Sequence, residues 1–267
     1  MRTVSVVGIG TGNPEHITVQ AIGALNAADV IFMIDKGDDK RELLALRQEI
    51  CERYITSGRY RVVTAADPPR DRAAPGYQAA VADWRSRRAG IYQRLIAAEL
   101  GEQDHGAFLA WGDPAIYDST VHVLDEVLAR GTVDFELRVI PGISSVQALA
   151  AQHKISLTRT GRPVHLTTGR LLARGLPAGC DDVLVMLDAG CSFTGVDEDL
   201  EIYWGAYVGS ADEILISGTL TEAGPRIAAA RAAARRQHGW IMDTYLLRRP
   251  GPGQPPDGPD SQPADGR

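Results

Sequence analysis

Glycines at positions 8, 10 and 12 form the first segment of this chain that could bind a ligand through its backbone. The segment GIGTG (residues 8–12) lies between an apolar run and a stretch with apolar residues at helical spacing, where dinucleotide-binding folds carry their phosphate loop. The dinucleotide fingerprint needs its third glycine one residue later, at the position of Asn13. Asp35 follows the second apolar run, so nicotinamide binding stays open as an alternative, although the glycine spacing argues against it.

Metal and disulfide chemistry have little support in the sequence. The cysteines are too scattered for a CxxC metal site or a disulfide framework: Cys51, Cys180 and Cys191. The histidines are equally dispersed: His16, His105, His122, His153, His165 and His238. We therefore expect no metal ion in the protein, and packing roles for the cysteines.

Composition restricts the class of partner. The formal net charge of −6 disfavours nucleic-acid binding, which needs a basic face to replace counterions. No apolar run is long enough to cross a bilayer, and the start MRTVSVVGIGTG lacks the charged and apolar regions of a secretion signal. These features predict a cytoplasmic protein with neither a nucleic-acid nor a membrane partner.

Alternating strand and helix patterns predict an α/β domain in the first half of the chain. The apolar run at residues 3–7 is typical of a strand buried on both faces of a parallel sheet, and it opens a βαβ unit. The other predicted strands of this half are residues 30–34, 61–63, 107–111 and 135–140. The predicted helices are residues 17–27, 40–54, 77–100 and 120–130. A polar stretch at residues 64–76 is predicted to be an exposed loop.

The pattern restarts after Pro141-Gly142, so we expect one domain over residues 1–141 and a second over residues 142–249. The predicted helices of the second half are residues 145–152 and 221–237. Its predicted strands are residues 164–167, 183–187, 202–208, 214–217 and 240–247. Their close spacing predicts a mixed sheet. Residues 250–267 are rich in proline and have no large apolar side chain, which predicts a disordered tail.

Three segments, taken together, resemble the tetrapyrrole methylase family. The segment VVGIGTGNPEHIT (residues 6–18) is similar to the opening strand and glycine-rich loop of that family. WGDPAIYDS (residues 111–119) resembles its Gly-Asp-Pro cofactor motif, and VIPGISSVQALAA (residues 139–151) resembles its Pro-Gly-x-Ser segment. Each motif is modestly specific alone, but all three occur in order and each follows a predicted strand. The resemblance extends over about residues 3–249.

The resemblance implies two α/β domains with a cleft for S-adenosylmethionine between them, and a homodimer. It implies cofactor contacts at Gly112, Asp113, Pro114, Ile116, Tyr117, Ser144, Ser145, Met186, Leu187, Tyr207, Gly218 and Thr219. Simpler roles are open for some of these residues. Asp113 could favour the cationic amino group of the cofactor, or it could form an Asx turn before Pro114. Ser144 and Ser145 could contact the cofactor or cap the following helix.

Within the family, FLAWGDPAIYDST and GWIMDTYLLRR are most similar to the branch that methylates a precorrin at C-1 and releases its acetyl group as acetate. This implies precorrin-5 as the substrate. Substrate contacts are expected at Gly10, Thr11, Gly12, Arg159, Arg162 and Arg170. Arginine suits the many carboxylates of a precorrin, although these arginines could equally belong to a solvated loop surface.

Methyl transfer needs little beyond orientation of donor and acceptor, whereas loss of an acetyl group needs water and proton transfer. The sequence offers four candidate proton carriers without a basis for choosing among them: Asp35, Asp38, Asp113 and His165. Our working hypothesis is that a carboxylate within residues 35–39 serves deacetylation.

Three other functions remain open from the sequence. A second methylase of the same family could act at a different ring position, and only substrate tests separate that function from the first. A nicotinamide-dependent reductase would bind NADPH. A noncatalytic protein that retains the fold would turn over no corrinoid precursor.

Overall fold

The computed structural model describes residues 1–35, 41–69, 77–196 and 200–250. The chain divides into two compact units, Met1–Ser144 and Ser145–Arg267. Each unit combines helices with one five-stranded sheet, so the predicted α/β class is confirmed.

The sheet of the first unit is parallel throughout, in the order β3-β2-β4-β1-β5. Its strands are β1 (Thr3–Gly8), β2 (Val30–Asp35), β3 (Arg61–Ala66), β4 (His105–Ala110) and β5 (Glu136–Ile140). Strand β1, which lies between β4 and β5, is buried along its whole length, because helices cover both faces of the sheet.

Four helices cover the first sheet: α1 (Val19–Asn26), α2 (Arg41–Tyr54), α3 (Tyr77–Glu99) and α4 (Thr120–Ala129). Successive side chains of a strand point to opposite faces, and the core divides accordingly. Val7 packs in one cluster with residues of α1 and α2, whereas Val6 packs in another with residues of α3 and α4.

The sheet of the second unit is mixed, as predicted, in the order β6-β7-β10-β8-β9. Its strands are β6 (Val164–Thr168), β7 (Asp182–Met186), β8 (Glu201–Ala206), β9 (Ile214–Thr219) and β10 (Asp243–Arg248). Only the β6–β7 pair is parallel among the described pairings, and β10 runs antiparallel between β7 and β8.

The helices of the second unit are α5 (Ser145–His153), α6 (Gly169–Leu172) and α7 (Leu220–His238). A cluster that includes Trp204 of β8 joins α7 to one face of the sheet. Leu149 of α5 lies against Gly205, the next residue of β8, and therefore covers the other face.

Several predicted boundaries need correction. Residues 64–66 belong to β3 rather than to a loop, because Thr64–Ala66 continue the parallel pairing with β2. The last strand begins at Asp243 rather than at residue 240. The predicted tail at residues 251–267 and the loop at residues 70–76 lie outside the described residues. Within the described parts of the chain, no helix has both the length and the apolar character to cross a membrane.

Candidate active site

The three motif segments of the first unit leave its sheet side by side. β1 pairs with β4 on one side and β5 on the other, with Gly8 opposite Ala110 and Val7 opposite Ile140. The segments that follow these strands therefore begin at neighbouring positions. Loops after the carboxyl ends of parallel strands are where α/β sheets bind ligands.

Three glycines, one from each segment, pack backbone against backbone. A Cβ placed on Gly142 would lie 2.2 Å from the carbonyl oxygen of Gly112 and 2.9 Å from the Cα atom of Gly8. Gly112, at φ +68°, exchanges two backbone hydrogen bonds with Gly10, of 2.8 and 3.3 Å. The motif glycines thus bring the three segments closer than any side chain would permit.

Asp113 joins two of these segments through its carboxylate. Its Oδ1 accepts a hydrogen bond of 2.7 Å from the Ala115 amide, which is the Asx turn considered from the sequence. Its Oδ2 accepts a 2.9 Å bond from the amide of Gly142. Both carboxylate oxygens are therefore engaged in fixing the loop, and the role of Asp113 as a proton carrier stays a prediction.

Thr11 carries an unused hydrogen-bonding group at this point. The residue is 3% exposed, and its Oγ1 has no hydrogen-bond partner among the described residues. Its Cγ2 lies 3.4 Å from a Cβ placed on Gly112, and the Cα of Ser144 lies 3.5 Å from the same point. Buried hydroxyls are nearly always hydrogen-bonded, so this orphan group fits the polar contact of a bound molecule.

Backbone strain coincides with the residues expected to contact the cofactor. Five described residues other than glycine have positive φ, and three of them are Tyr117 (φ +51°), Leu187 (φ +55°) and Tyr207 (φ +49°). Such residues concentrate at functional sites because the surrounding structure must hold them in place. Tyr117 and Leu187 are also 45% and 61% exposed, which leaves their side chains accessible to a ligand.

In the second unit, β6, β7 and β8 all finish at one end of the sheet, here called the carboxyl end and defined by Thr168, Met186 and Ala206. Leu187 and Tyr207 follow directly after β7 and β8, so the structure brings them together with Met186. The antiparallel strand β10 begins at this same end, with Asp243 opposite Ala206 and Thr244 opposite Met186.

A buried polar network supports the carboxyl end of the second sheet. The carboxylate of Asp188, a residue 3% exposed, accepts hydrogen bonds from the Tyr245 hydroxyl (2.6 Å) and from the amide (2.6 Å) and hydroxyl (2.9 Å) of Ser192. Arg231 donates to the carbonyl of Asp188 (2.6 Å) and to Asp243 Oδ2 (2.9 Å). Burial raises the pKa of Asp243, against the opposing effect of Arg231.

Gly218 and Thr219 lie at the other end of the second sheet, so the expectation that they share the ligand side with Tyr207 is wrong. β9 runs antiparallel to β8, which sets Thr219 opposite Glu201 and Gly218 opposite Ile202. The Thr219 hydroxyl instead accepts a hydrogen bond from the Glu222 amide and caps α7.

Two of the predicted substrate arginines also lie away from the carboxyl end. Arg159 forms a 2.9 Å ion pair with Asp182, the fully buried first residue of β7, and Arg162 lies 3.2 Å from Asp181. His165 is exposed near the start of β6. Arg170 differs from these residues, because it lies in α6 directly after the carboxyl end of β6.

Of the predicted proton carriers in the first unit, Asp35 ends β2 at the same end of its sheet as the glycine motif. Asp38 lies outside the described residues. Among the residues that the structure describes, no group of three or more histidine, cysteine or acidic side chains could hold a metal ion.

Sequence reasoning missed the polar residues beneath the carboxyl end of the second sheet: Asp188, Arg231, Asp243 and Tyr245. They are distant in the chain and share no local motif. The only signal was the acidic residue directly after an apolar strand in VLVMLD, residues 183–188.

Comparison with known proteins gives consistent matches. Residues 3–224 match the family model described as Tetrapyrrole (Corrin/Porphyrin) Methylases. The chain is 52% identical over 250 residues to a Sinorhizobium sp protein named precorrin-6A synthase (deacetylating), covering 93% of this chain and 96% of that relative. A precorrin-2 C(20)-methyltransferase from Sinorhizobium sp is 31% identical over 145 residues, which cover 52% of this chain and 53% of that protein.

Solved structures agree with the fold. A cobalamin synthesis related protein (CobF) from Corynebacterium diphtheriae is 36% identical, with a TM-score of 0.81, and the match covers 93% of this chain and 98% of that one. A uroporphyrin-III C-methyl transferase from Thermus thermophilus, complexed with S-adenosylhomocysteine, has a TM-score of 0.56 at 16% identity. That match covers 92% of this chain and 97% of the other, and it supports the fold alone.

Proposed function

The chain belongs to the tetrapyrrole methylase family, and from this premise we propose that it methylates precorrin-5 at C-1 and removes its acetyl group. The products would be precorrin-6A, acetate and S-adenosylhomocysteine, in aerobic cobalamin biosynthesis. The substrate assignment is supported by the 52% identity to a precorrin-6A synthase (deacetylating) over nearly the whole of both chains.

The observation that carries the proposal is the convergence of the three motif segments after β1, β4 and β5. Gly8, Gly112 and Gly142 hold these segments in backbone contact, and Thr11 leaves a buried hydroxyl without a partner among the described residues. Backbone groups at close approach with one open polar contact suit a small polar ligand better than a purely structural junction.

We infer that the cofactor is S-adenosylmethionine, which supplies a methyl group from its sulfonium when bound. The residues proposed to hold it are Gly112, Asp113, Pro114, Ile116, Tyr117, Ser144 and Ser145, together with Met186, Leu187 and Tyr207. Asp113 holds the loop in place through Ala115 and Gly142, and the strained backbone of Tyr117 presents its ring at the surface. Orientation of this kind is the main contribution a protein makes to a displacement reaction.

On the substrate side, the proposal keeps Gly10, Thr11, Gly12 and Arg170. The Thr11 hydroxyl can donate to a substrate oxygen, and Arg170 can pair with a carboxylate. Release of acetate requires a water molecule to add to the acetyl carbonyl and protons to move. Asp35, at the end of β2, and Asp38 remain the proposed carboxylates for this step.

The proposal is tested by incubating the purified protein with S-adenosylmethionine and enzymatically generated precorrin-5. Mass spectrometry of the macrocycle should show the gain of one methyl and the loss of one acetyl, with acetate released in equal amount. Methyl gain without release of acetate would mean that the protein methylates a different ring position, and the substrate assignment would be wrong. No turnover and no binding of S-adenosylmethionine would overturn the function itself.

The deacetylation step has a separate test. Asp35→Asn and Asp38→Asn variants should retain S-adenosylmethionine binding, and at least one should release acetate more slowly. If both variants methylate and release acetate like the unmodified protein, neither carboxylate acts in the step.

We also infer that the protein works as a homodimer in the cytoplasm, as its resemblance to the family implies. Light scattering coupled to gel filtration gives the molar mass directly, and a monomer at working concentration would contradict the dimer.

A further inference from the structure

The Gly-Asp-Pro loop, residues 111–119, is fixed at both ends by different means. Its first half is held by the backbone bonds of Gly112 with Gly10 and by the carboxylate of Asp113. The second half contains Tyr117, whose positive φ of +51° is unfavourable for a large side chain. A strained residue keeps its conformation only where its neighbours determine it, so the anchors that follow Tyr117 matter.

Arg88 of α3 is one of these anchors. The residue is 4% exposed, and its Nη1 donates a 2.8 Å hydrogen bond to the hydroxyl of Ser119, two residues after Tyr117. Its Nε forms a 3.0 Å ion pair with Asp67 Oδ1. Arg88 thereby connects the end of the loop to the segment after β3.

Arg47 of α2 is a second buried guanidinium beside the same loop. The residue is 7% exposed, and its one hydrogen bond among the described residues runs from Nη1 to the Leu43 carbonyl, at 3.3 Å. Burial lowers the pKa of Arg47, and the negative charge of Asp118 opposes this effect. Arg47 and Asp118 line one cavity of about 20 Å³, together with Tyr92 and Thr120. A polar cavity of this size holds about one water molecule.

Asp118 links this cavity to the loop. Its Oδ1 accepts a 2.6 Å hydrogen bond from the Thr120 amide, which fixes the turn between the loop and α4. A water molecule in the cavity could accept a hydrogen bond from Arg47 and donate one to Asp118.

A buried ion pair such as that of Arg88 with Asp67 is an expensive way to support a loop, because apolar side chains in place of both partners would stabilise the fold as well or better. The presence of this pair is therefore better explained by a requirement of the site than by folding. We propose that Arg47 and Arg88 are positioning residues that hold Asp118 and Ser119, and through them the strained Tyr117, in the conformation that binds the cofactor. This inference rests on the proposed function.

The test is calorimetric titration of S-adenosylmethionine into Arg47→Met and Arg88→Met variants, with the melting temperature of each measured in parallel. The Kd should rise by about tenfold in each variant, the loss expected when a hydrogen bond involving a charged group is removed. The melting temperature of Arg47→Met should be unchanged or higher. At saturating cofactor, kcat should change much less than the KM for S-adenosylmethionine.

Matched controls lie on the same two helices. Arg87→Met and Arg53→Met remove exposed arginines that pair with Asp83 and Glu15, and these variants should keep the Kd within about twofold. If Arg88→Met fails to fold, Ser119→Ala serves in its place, because it removes the hydroxyl that accepts the hydrogen bond from Arg88 and leaves the arginine unchanged. The double variant Arg88→Met/Ser119→Ala should bind no more weakly than Arg88→Met alone.

The outcomes separate the two hypotheses. If the unmodified protein does not bind S-adenosylmethionine, the proposed function fails. If it binds, but the Arg47, Arg88 and Ser119 variants bind equally well, the positioning role alone is wrong. If Arg47→Met lowered the melting temperature as well as the affinity, the positioning role would also be overturned, because Arg47 would then be needed for folding.

Discussion

The two units arrange the loops at the ends of their sheets by opposite means. In the first unit, Gly8, Gly112 and Gly142 bring three loops into direct backbone contact. In the second unit, the loop after β7 rests on buried polar side chains, centred on Asp188 and Arg231. Backbone contact requires the absence of side chains, whereas the polar network requires every side chain to find its partner. The units should therefore fail in different ways when they are altered.

The largest expected effect comes from adding one methyl group to the glycine junction. In Gly142→Ala the new Cβ would lie 2.2 Å from the Gly112 carbonyl oxygen, so the loops must separate. We expect a loss of at least about 3 kcal/mol in the free energy of unfolding, the upper part of the range for overpacking. Binding of S-adenosylmethionine should fall with it. Denaturant unfolding and calorimetric titration measure the two effects.

The matched control is Gly23→Ala, in α1. A Cβ at this exposed helical position meets no atom within 4 Å. The substitution should raise the free energy of unfolding by about 0.5–1 kcal/mol, because alanine loses less backbone entropy than glycine. A Gly142→Ala protein as stable as Gly23→Ala would refute the backbone junction.

In the second unit the corresponding change is the removal of one donor. Tyr245→Phe deletes the hydroxyl that donates to Asp188 at 2.6 Å and leaves that buried carboxylate with fewer partners. The free energy of unfolding should fall by about 1–3 kcal/mol, the cost of a buried group left unsatisfied. In the Tyr245→Phe protein, Asp188→Asn should lower the free energy of unfolding by less than it does in the unmodified protein, since the two residues act together. Additive losses would show that no network joins them.

The difference between the backbone contacts of the first unit and the polar network of the second also explains which parts of the site could be predicted from the sequence. The glycines of the first unit act locally, each within a short motif after a strand, so the segments that contain Gly10, Gly112 and Gly142 could be recognised from the sequence. The polar network has no such signature. Arg231 and Asp188 are 43 residues apart, and they meet only because β10 and α7 return to the same end of the sheet.

Antiparallel strands also explain the misplacement of Gly218 and Thr219. In a parallel sheet every strand finishes at the same end, and Asp35 and the segment of Gly112 accordingly lie at one end of the first sheet. β9 runs the other way, so its last residues lie at the opposite end, and β10 contributes its first residues instead. Strand direction follows from pairing, which hydrophobic pattern alone does not specify.

Thr219→Val tests this correction with a smaller effect. The variant loses the hydroxyl that caps α7, so the free energy of unfolding should fall by about 1 kcal/mol. Its affinity for S-adenosylmethionine should be unchanged, because Thr219 lies at the far end of the sheet from Met186. Leu187→Gly provides the contrast: it should weaken binding, although it relieves a positive φ of +55°. Equal losses of affinity in the two variants would indicate that Thr219 belongs to the cofactor site and that this correction is wrong.

The smallest expected effect concerns the second unit, where the protonation of His153 should make the free energy of unfolding depend on pH. His153 of α5 has its Nε2 3.0 Å from the Trp204 carbonyl, and burial lowers its pKa, with Trp204 and Glu213 opposing. The unfolded chain therefore takes up a proton more readily than the folded one. His153 stabilises the fold fully at pH values above the unfolded pKa of about 6.5, and this contribution is lost as the pH falls further.

His153→Gln keeps an amide that can donate to the Trp204 carbonyl but does not titrate. Between about pH 7.5 and about pH 5.5, the free energy of unfolding should fall less steeply in this variant than in the unmodified protein. Hydrogen exchange should locate the difference in α5 and β8, whereas the glycine junction of the first unit, which does not include His153, should exchange alike in both proteins. Equal pH slopes in the two proteins would mean that protonation of His153 does not contribute to the pH dependence of stability.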